Sequence, residues 1–94
     1  MLGARGIELL RQYQNVKALI EPNGRMIRFP RKEKPRAAVL RYLAATMEPD
    51  RHYTEHEVND HLGHFYPDYA LLRRSLIVSG LLRRTRDGSV YEVV

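Results

Sequence analysis

Two short helices about four residues apart, each with its own start signal, followed by an Asp-Gly pair between β-prone runs, confine this chain to few architectures. Thr54-Glu55-His56-Glu57 carries the capping-box pattern, in which Thr54 caps the N–H of Glu57 while the Glu57 carboxylate reaches back. Val58 and Leu62 then point inward, Gly63 ends the helix, and His64-Phe65-Tyr66-Pro67 is the turn before a second start at Asp68. From Asp68 to about Ser79 the spacing puts Tyr69, Leu72, Leu76 and Ser79 on one side, Ala70, Arg74 and Ile77 on the other, and Arg73 between. Gly80 stops that helix. Asp87-Gly88 predicts a hairpin, and a two-residue turn would set Arg86 opposite Ser89, Arg84 opposite Tyr91 and Arg83 opposite Glu92.

Upstream, Pro35 suits the first turn of a helix whose apolar stripe is Val39, Leu40, Leu43 and Met47 and which ends before Pro49. Asp50-Arg51-His52-Tyr53 is short and extended. The first stretch, about Ala4 to Ile20, reads as an amphipathic helix through Ile7, Leu10, Tyr13, Val16 and Leu19 or Ile20. Glu21-Pro22-Asn23-Gly24 is a stop and a turn, and a short strand is expected through Met26-Ile27-Arg28-Phe29. Residues 1–30 are therefore expected as an N-terminal helix with a turn-strand extension, and 31–94 as a winged-helix-like domain, in one compact unit.

Ninety-four residues supply a single thin core, which excludes a two-domain enzyme; the Ile7, Leu10 and Tyr13 stripe is expected either to cap that core or to pair with a second copy, and the need for extra burial favours a homodimer. With no cysteine, disulfides, thiolate zinc sites and cysteine nucleophiles are excluded, and a reducing cytoplasm is expected. No apolar run reaches the roughly 18 residues of a spanning helix, so no membrane association is expected. Arg5, Glu8 and Arg11 interrupt what a signal peptide would need to keep apolar, so an unprocessed, soluble chain is expected.

Sixteen basic residues against eleven acidic give a net charge of +5, and most of the cations are arginine, whose forked donors suit phosphate and guanine edges. Helix, short strand, helix, tight turn, helix and hairpin is the order of a winged helix-turn-helix, an α+β, mostly helical fold whose third helix enters the DNA major groove. Arg73, Arg74 and Ser75 lie on that helix, Arg84 and Arg86 on the hairpin, and Arg31, Lys32 and Lys34 in a proline-punctuated basic run; all eight are candidate DNA contacts. Arg74 should project outward, whereas Arg73 sits where it can pair with Glu55, Glu57 or Asp60. Arg83 is expected to form a cross-strand ion pair with Glu92, leaving Arg84 and Arg86 for phosphate.

These residues resemble the bacterial domain family of unknown function called DUF2087. The resemblance runs from about Leu19 to Tyr91 through Gly24-Arg25-Met26, Phe29-Pro30-Arg31-Lys32, Val39-Leu40-Arg41-Tyr42-Leu43-Ala44, Tyr53-Thr54-Glu55, Glu57-Val58-Asn59, Asp68, Leu72-Arg73-Arg74, Gly80-Leu81-Leu82, Asp87-Gly88-Ser89 and Tyr91. It implies a winged-helix-like domain associated with transcriptional regulation, but no reaction, ligand or operator. The chain departs from the family pattern at Gly63, which shortens a helix, and after Tyr91.

The functional expectation is a DNA-binding transcriptional regulator or regulator module acting on double-stranded DNA. The alternative is a protein-interaction or dimerisation module of the same fold, its third helix packed on a partner from the transcription machinery; Ile77 and Val78 favour it, as Arg74 and Ser75 favour DNA. Enzymatic function is not expected: Ser75, Ser79, the histidines, Glu55, Glu57 and Asp60 form no nucleophile–base or paired-carboxylate constellation. His56 and His61 lie five apart, so a helix turns them roughly 140° from each other, and neither a metal nor a cofactor is expected.

Overall fold

The computed structural model describes residue 9 and residues 11–94. Three α-helices and a two-stranded antiparallel sheet follow a 3₁₀ helix, giving a mostly helical α+β chain. The 3₁₀ helix is Gln14–Leu19; the helices are α1 (Glu33–Ala45), α2 (Glu55–Gly63) and α3 (Tyr69–Val78); the strands are β1 (Leu82–Arg84) and β2 (Tyr91–Val93).

The expected stripe of α1 is buried in full: Val39, Leu40, Leu43 and Met47 join Val58, Leu62, Leu72, Leu76, Leu82 and Tyr91 in one core. No polar or charged residue lies among the described buried set. Val16, Leu19, Ile20 and Met26 belong to the same core, so the segment before α1 packs onto the helices. Backbone bonds tie it down, with Met26 N donating to Phe65 O at 2.7 Å and Ile27 N to Leu19 O at 2.9 Å. Nη1 of Arg25 donates to His64 O at 3.2 Å, placing a cation on the carbonyl end of α2, where the helix dipole favours it.

Two expectations upstream of α1 are corrected. The stretch ending at Ile20 closes as a 3₁₀ helix, because Tyr13, Val16 and Leu19 are spaced by three and three residues per turn align them on one side. Met26-Ile27-Arg28-Phe29 forms no strand: among the described residues the pairing stops at an isolated Ile20–Met26 bridge, the Met26 N–H goes to Phe65 O, and Ile27 and Arg28 are exposed. Of the two roles open to the Ile7, Leu10 and Tyr13 stripe, Tyr13 takes the first: it is turned inward onto the core, its ring 5.9 Å from that of Tyr42 in an edge-on contact. Ile7 and Leu10, the rest of that stripe, lie outside the described residues.

The capping box is complete: Glu57 N donates to Thr54 Oγ1 at 3.1 Å and Thr54 N to Glu57 Oε1 at 2.9 Å. α2 ends at Gly63 without a left-handed glycine cap. The chain leaves instead by short bonds from His64 N to His61 O and from Phe65 N to Leu62 O. Gly80 is the left-handed stop, at φ 78°, and Leu81 N→Leu76 O with Gly80 N→Ile77 O completes a Schellman closure of α3.

The strand register is Leu82 with Val93, Arg83 with Glu92 and Arg84 with Tyr91, as the sequence predicts. The loop differs: the last ladder bond is Thr85 N→Val90 O, so four residues turn the hairpin instead of two. A two-residue turn needs positive φ at Asp87 in either primed type, I′ or II′, and of Asp87 and Gly88 only Gly88 has it. Asp87 instead folds its carboxylate over the loop, accepting from Ser89 N, Ser89 Oγ and Thr85 Oγ1. The extended stretch before α2 ends at Tyr53, which exchanges two 2.8 Å backbone bonds with Tyr91 and adds a one-residue third edge to the hairpin. Asp50, also expected to be extended, takes φ 62° and turns the chain there.

Candidate nucleic-acid interface

α3 is positioned from both ends and from behind. Asp68 Oδ1 accepts from Leu71 N at 3.1 Å, Gly80 closes the other end, and Leu72 and Leu76 are fully buried. Burial of that side leaves Arg74, Ser75 and Val78 outward. Arg74 is exposed, and Val78 is 87% exposed, the extreme among the described large apolar residues.

Arg74 and Val78 form the ridge between two grooves. The first, about 540 Å³, runs between α3 and the start of α1 and is lined by Arg36, Ala37, Leu40, Arg41, Ser75 and Leu81 among others. The second, about 500 Å³, separates α3 from the hairpin and is lined by Glu55, Arg73, Ile77, Arg84, Asp87 and Tyr91. The structure thus brings together Arg74 and Ser75 on one side and Arg73, Arg74 and Arg84 on the other. Arg41 and Arg36 are the residues that the helix-by-helix reading does not group with them. Their signal is the spacing of Ala37, Leu40 and Arg41 on α1, which defines a face beside the buried stripe; which helix meets that face is a tertiary fact.

Arg73 is drawn inward. Its side chain is 19% exposed, its Nη1 donates to Asn59 Oδ1, and its Nε stands 3.9 Å from Glu55 Oε1. The same Glu55 oxygen accepts from Tyr91 Oη at 2.8 Å, so one carboxylate links α2, α3 and β2. Burial, and then Glu55, raise the pKa of the Tyr91 phenol, which keeps it a hydrogen-bond donor.

On the hairpin, Arg83 Nε meets Glu92 Oε1 at 2.7 Å, the expected ion pair, and His52 Nε2 lies 3.3 Å from the other Glu92 oxygen. Arg84 is exposed but not extended: its Nη1 donates to Thr85 O and Arg86 O, both at 3.3 Å, and it lies over the turn. Arg86 is exposed at the loop. Asp87 is held at a pKa of about 2, first by the Ser89 backbone N–H and then by the Thr85 and Ser89 side chains, so the loop carries a carboxylate that stays charged.

Arg31 and Lys32 are elsewhere. They line a third hollow, about 610 Å³, with Leu19, Arg28, Phe29, Pro30, Pro35 and Tyr66, and it shares no lining residue with the two grooves beside α3. Lys34 is exposed in the first turn of α1.

The histidines make separate local contacts. His56 faces Asp60 at 3.3 Å, His61 Nε2 is 2.8 Å from Thr46 Oγ1, and His64 Nδ1 is 2.6 Å from Asp60 O. Among the described residues, no three histidine, aspartate or glutamate side chains are placed to hold one metal ion. Nor is any described helix long and apolar enough to cross a membrane.

The elements and surface define a small α+β domain with an arginine-bearing helix exposed between two grooves. Residues 25–93 match the family described as an uncharacterized protein conserved in bacteria, DUF2087, and the chain belongs to that family. No curated protein and no solved structure matches it.

Proposed function

We propose that the chain is a winged helix-turn-helix regulator module that binds double-stranded DNA in the bacterial cytoplasm. In this reading α3 enters the major groove and the β1–β2 hairpin lies along the backbone as the wing. The observation that carries it is Arg74, exposed at the middle of α3 and flanked by Arg36 and Arg41 across one groove and Arg84 across the other. A forked donor on an outward helix face, bordered by cations, is what base-edge reading with phosphate neutralisation requires. The element order and the bridge from Tyr53 to Tyr91 also support it, since that bridge is the short strand that a winged helix sets against its wing.

Arg74 and Ser75 are the proposed groove contacts and Arg84, Arg86, Arg36 and Arg41 the phosphate contacts. Arg73 orients α2 against α3 through Asn59 and Glu55. Arg74→Ala is expected to weaken duplex binding about tenfold or more, the loss of one bidentate contact, with no change in Tm. Equal loss of affinity and Tm would remove Arg74 from the interface.

One observation favours a second reading. Val78 stands 87% exposed on the same face as Arg74, with Ile77 partly exposed beside it, a surface suited to a protein partner of the transcription machinery or a second copy of the chain. Val78→Ser separates the two: DNA affinity unaffected with loss of self-association, read by sedimentation, supports the interaction module.

A further inference from the structure

We propose that the hollow between the Arg28–Lys32 segment and Tyr66 is a binding site for a nucleoside polyphosphate. This inference does not rest on DNA binding by α3, because the hollow shares no lining residue with either α3 groove.

Three features carry it. First, the lining contains Arg28, Arg31 and Lys32 and no carboxylate. The first α3 groove includes Glu33, the second includes Glu55 and Asp87, and the hollow beside Tyr53 includes Glu48, Glu57 and Asp60. Three like charges gathered without a counter-charge repel one another, and a polyanion relieves that repulsion. All three cations are exposed, and their side chains make no hydrogen bond or ion pair among the described residues.

Second, the walls are aromatic and apolar. Phe29 and Tyr66 are each partly buried and packed against the core, which fixes their rings, while Leu19 and Pro30 are buried beneath. A planar base has a ring to stack on, and sequence-tolerant stacking on an aromatic ring is how proteins hold a nucleobase beside its phosphates. A phosphate or sulfate alone would have no use for these walls.

Third, the site is held in shape and is large enough. Nη1 of Arg36 donates to Arg31 O at 2.6 Å, pinning the extended segment to the first turns of α1, and Met26 N→Phe65 O fixes the other wall next to Tyr66. Pro30 and Pro35 restrict the backbone on either side of Arg31 and Lys32. About 610 Å³ lies within the range of small-ligand sites.

The test is isothermal titration of the full chain with ATP, with inorganic tripolyphosphate, with adenosine and with a 5′-phosphorylated single-stranded oligonucleotide. ATP is expected to bind more tightly than tripolyphosphate or adenosine, since each of those fills half of the site. Arg31→Ala with Lys32→Ala should weaken ATP at least about tenfold, and Tyr66→Leu should weaken ATP about fivefold or more while leaving tripolyphosphate unchanged. Arg28→Ala, at an exposed position, repeats the cation test away from the core packing, and Tm is compared for every variant. Oligonucleotide binding tighter than ATP, with the same losses in the variants, upholds the site and assigns the end of a strand as its source. No ATP binding at millimolar concentration, or tripolyphosphate binding as tightly as ATP with no effect of Tyr66→Leu, overturns the proposal.

Discussion

Tyr91 Oη donates to Glu55 Oε1 at 2.8 Å, joining the second strand of the hairpin to the first turn of α2. Tyr91 also exchanges backbone bonds with Tyr53 and pairs with Arg84, so one buried residue holds the hairpin to both of its neighbours. Glu55 is about half exposed and accepts from Tyr91 beside Arg73, whose own anchor is Asn59. The orientation of the hairpin relative to α3 therefore depends on a few named atoms.

Removing the phenolic oxygen by Tyr91→Phe should cost about 1 kcal/mol, the net value of one hydrogen bond to a partly solvated carboxylate. Urea denaturation followed by circular dichroism measures it. If the hairpin acts with α3 on DNA, affinity should fall further than stability does, because the two elements lose their fixed relation.

The two glycines of the α2–α3 region predict opposite signs. Gly80 has φ 78° with open space around it, so Gly80→Ala meets no clash yet forces alanine into the left-handed region, at a cost of about 1 kcal/mol. Gly63 is helical, and a Cβ there would stand 3.7 Å from Tyr69 Cδ2, an ordinary contact. Gly63→Ala should stabilise by up to about 0.5–1 kcal/mol, less if the last helical turn frays. Thermal denaturation of the two variants side by side reads the difference in sign.

Stability should fall on acidification through a histidine. His61 packs against Phe65 and bonds Thr46, and burial first, then His64 and Arg51, lower its pKa below the ordinary 6.5. Below about 6.5 the unfolded chain therefore binds a proton that the folded chain resists, so this contribution is complete above that pH and is lost as pH falls toward the folded value. His61→Gln should flatten the dependence between pH 7.5 and 5. Asp87 acts in another window: its folded pKa of about 2 against the ordinary 3.8 keeps its contribution intact above 3.8, lost only as pH falls toward 2. A denaturation midpoint equal at pH 7.5 and 5 would contradict the role of His61.

What was legible in the sequence was what local rules decide. Thr54 and Glu57 cap each other because both partners lie within one turn, and the Arg83–Glu92 pairing follows from strand alternation alone. The two-residue turn failed because Asp87 satisfies itself with Ser89 and Thr85, which removes any need for positive φ there. The strand at Met26 failed because, among the described residues, its bridge to Ile20 is isolated and the Met26 N–H is spent on Phe65 O. The site was legible in part: Arg74 is outward because Leu72 and Leu76 are inward, whereas the approach of Arg36 and Arg41 depends on how α1 crosses α3.

The central claim is tested most directly by fluorescence anisotropy on random-sequence duplex DNA at about 50 and 200 mM salt, comparing the native chain with an Arg74, Arg84 and Arg86 triple-alanine variant. The account predicts salt-sensitive binding, weaker in the variant, with the slope of log affinity against log salt reduced by about two, one for each of Arg84 and Arg86. Absence of binding at the lower salt, or an unchanged slope in the variant, would contradict it.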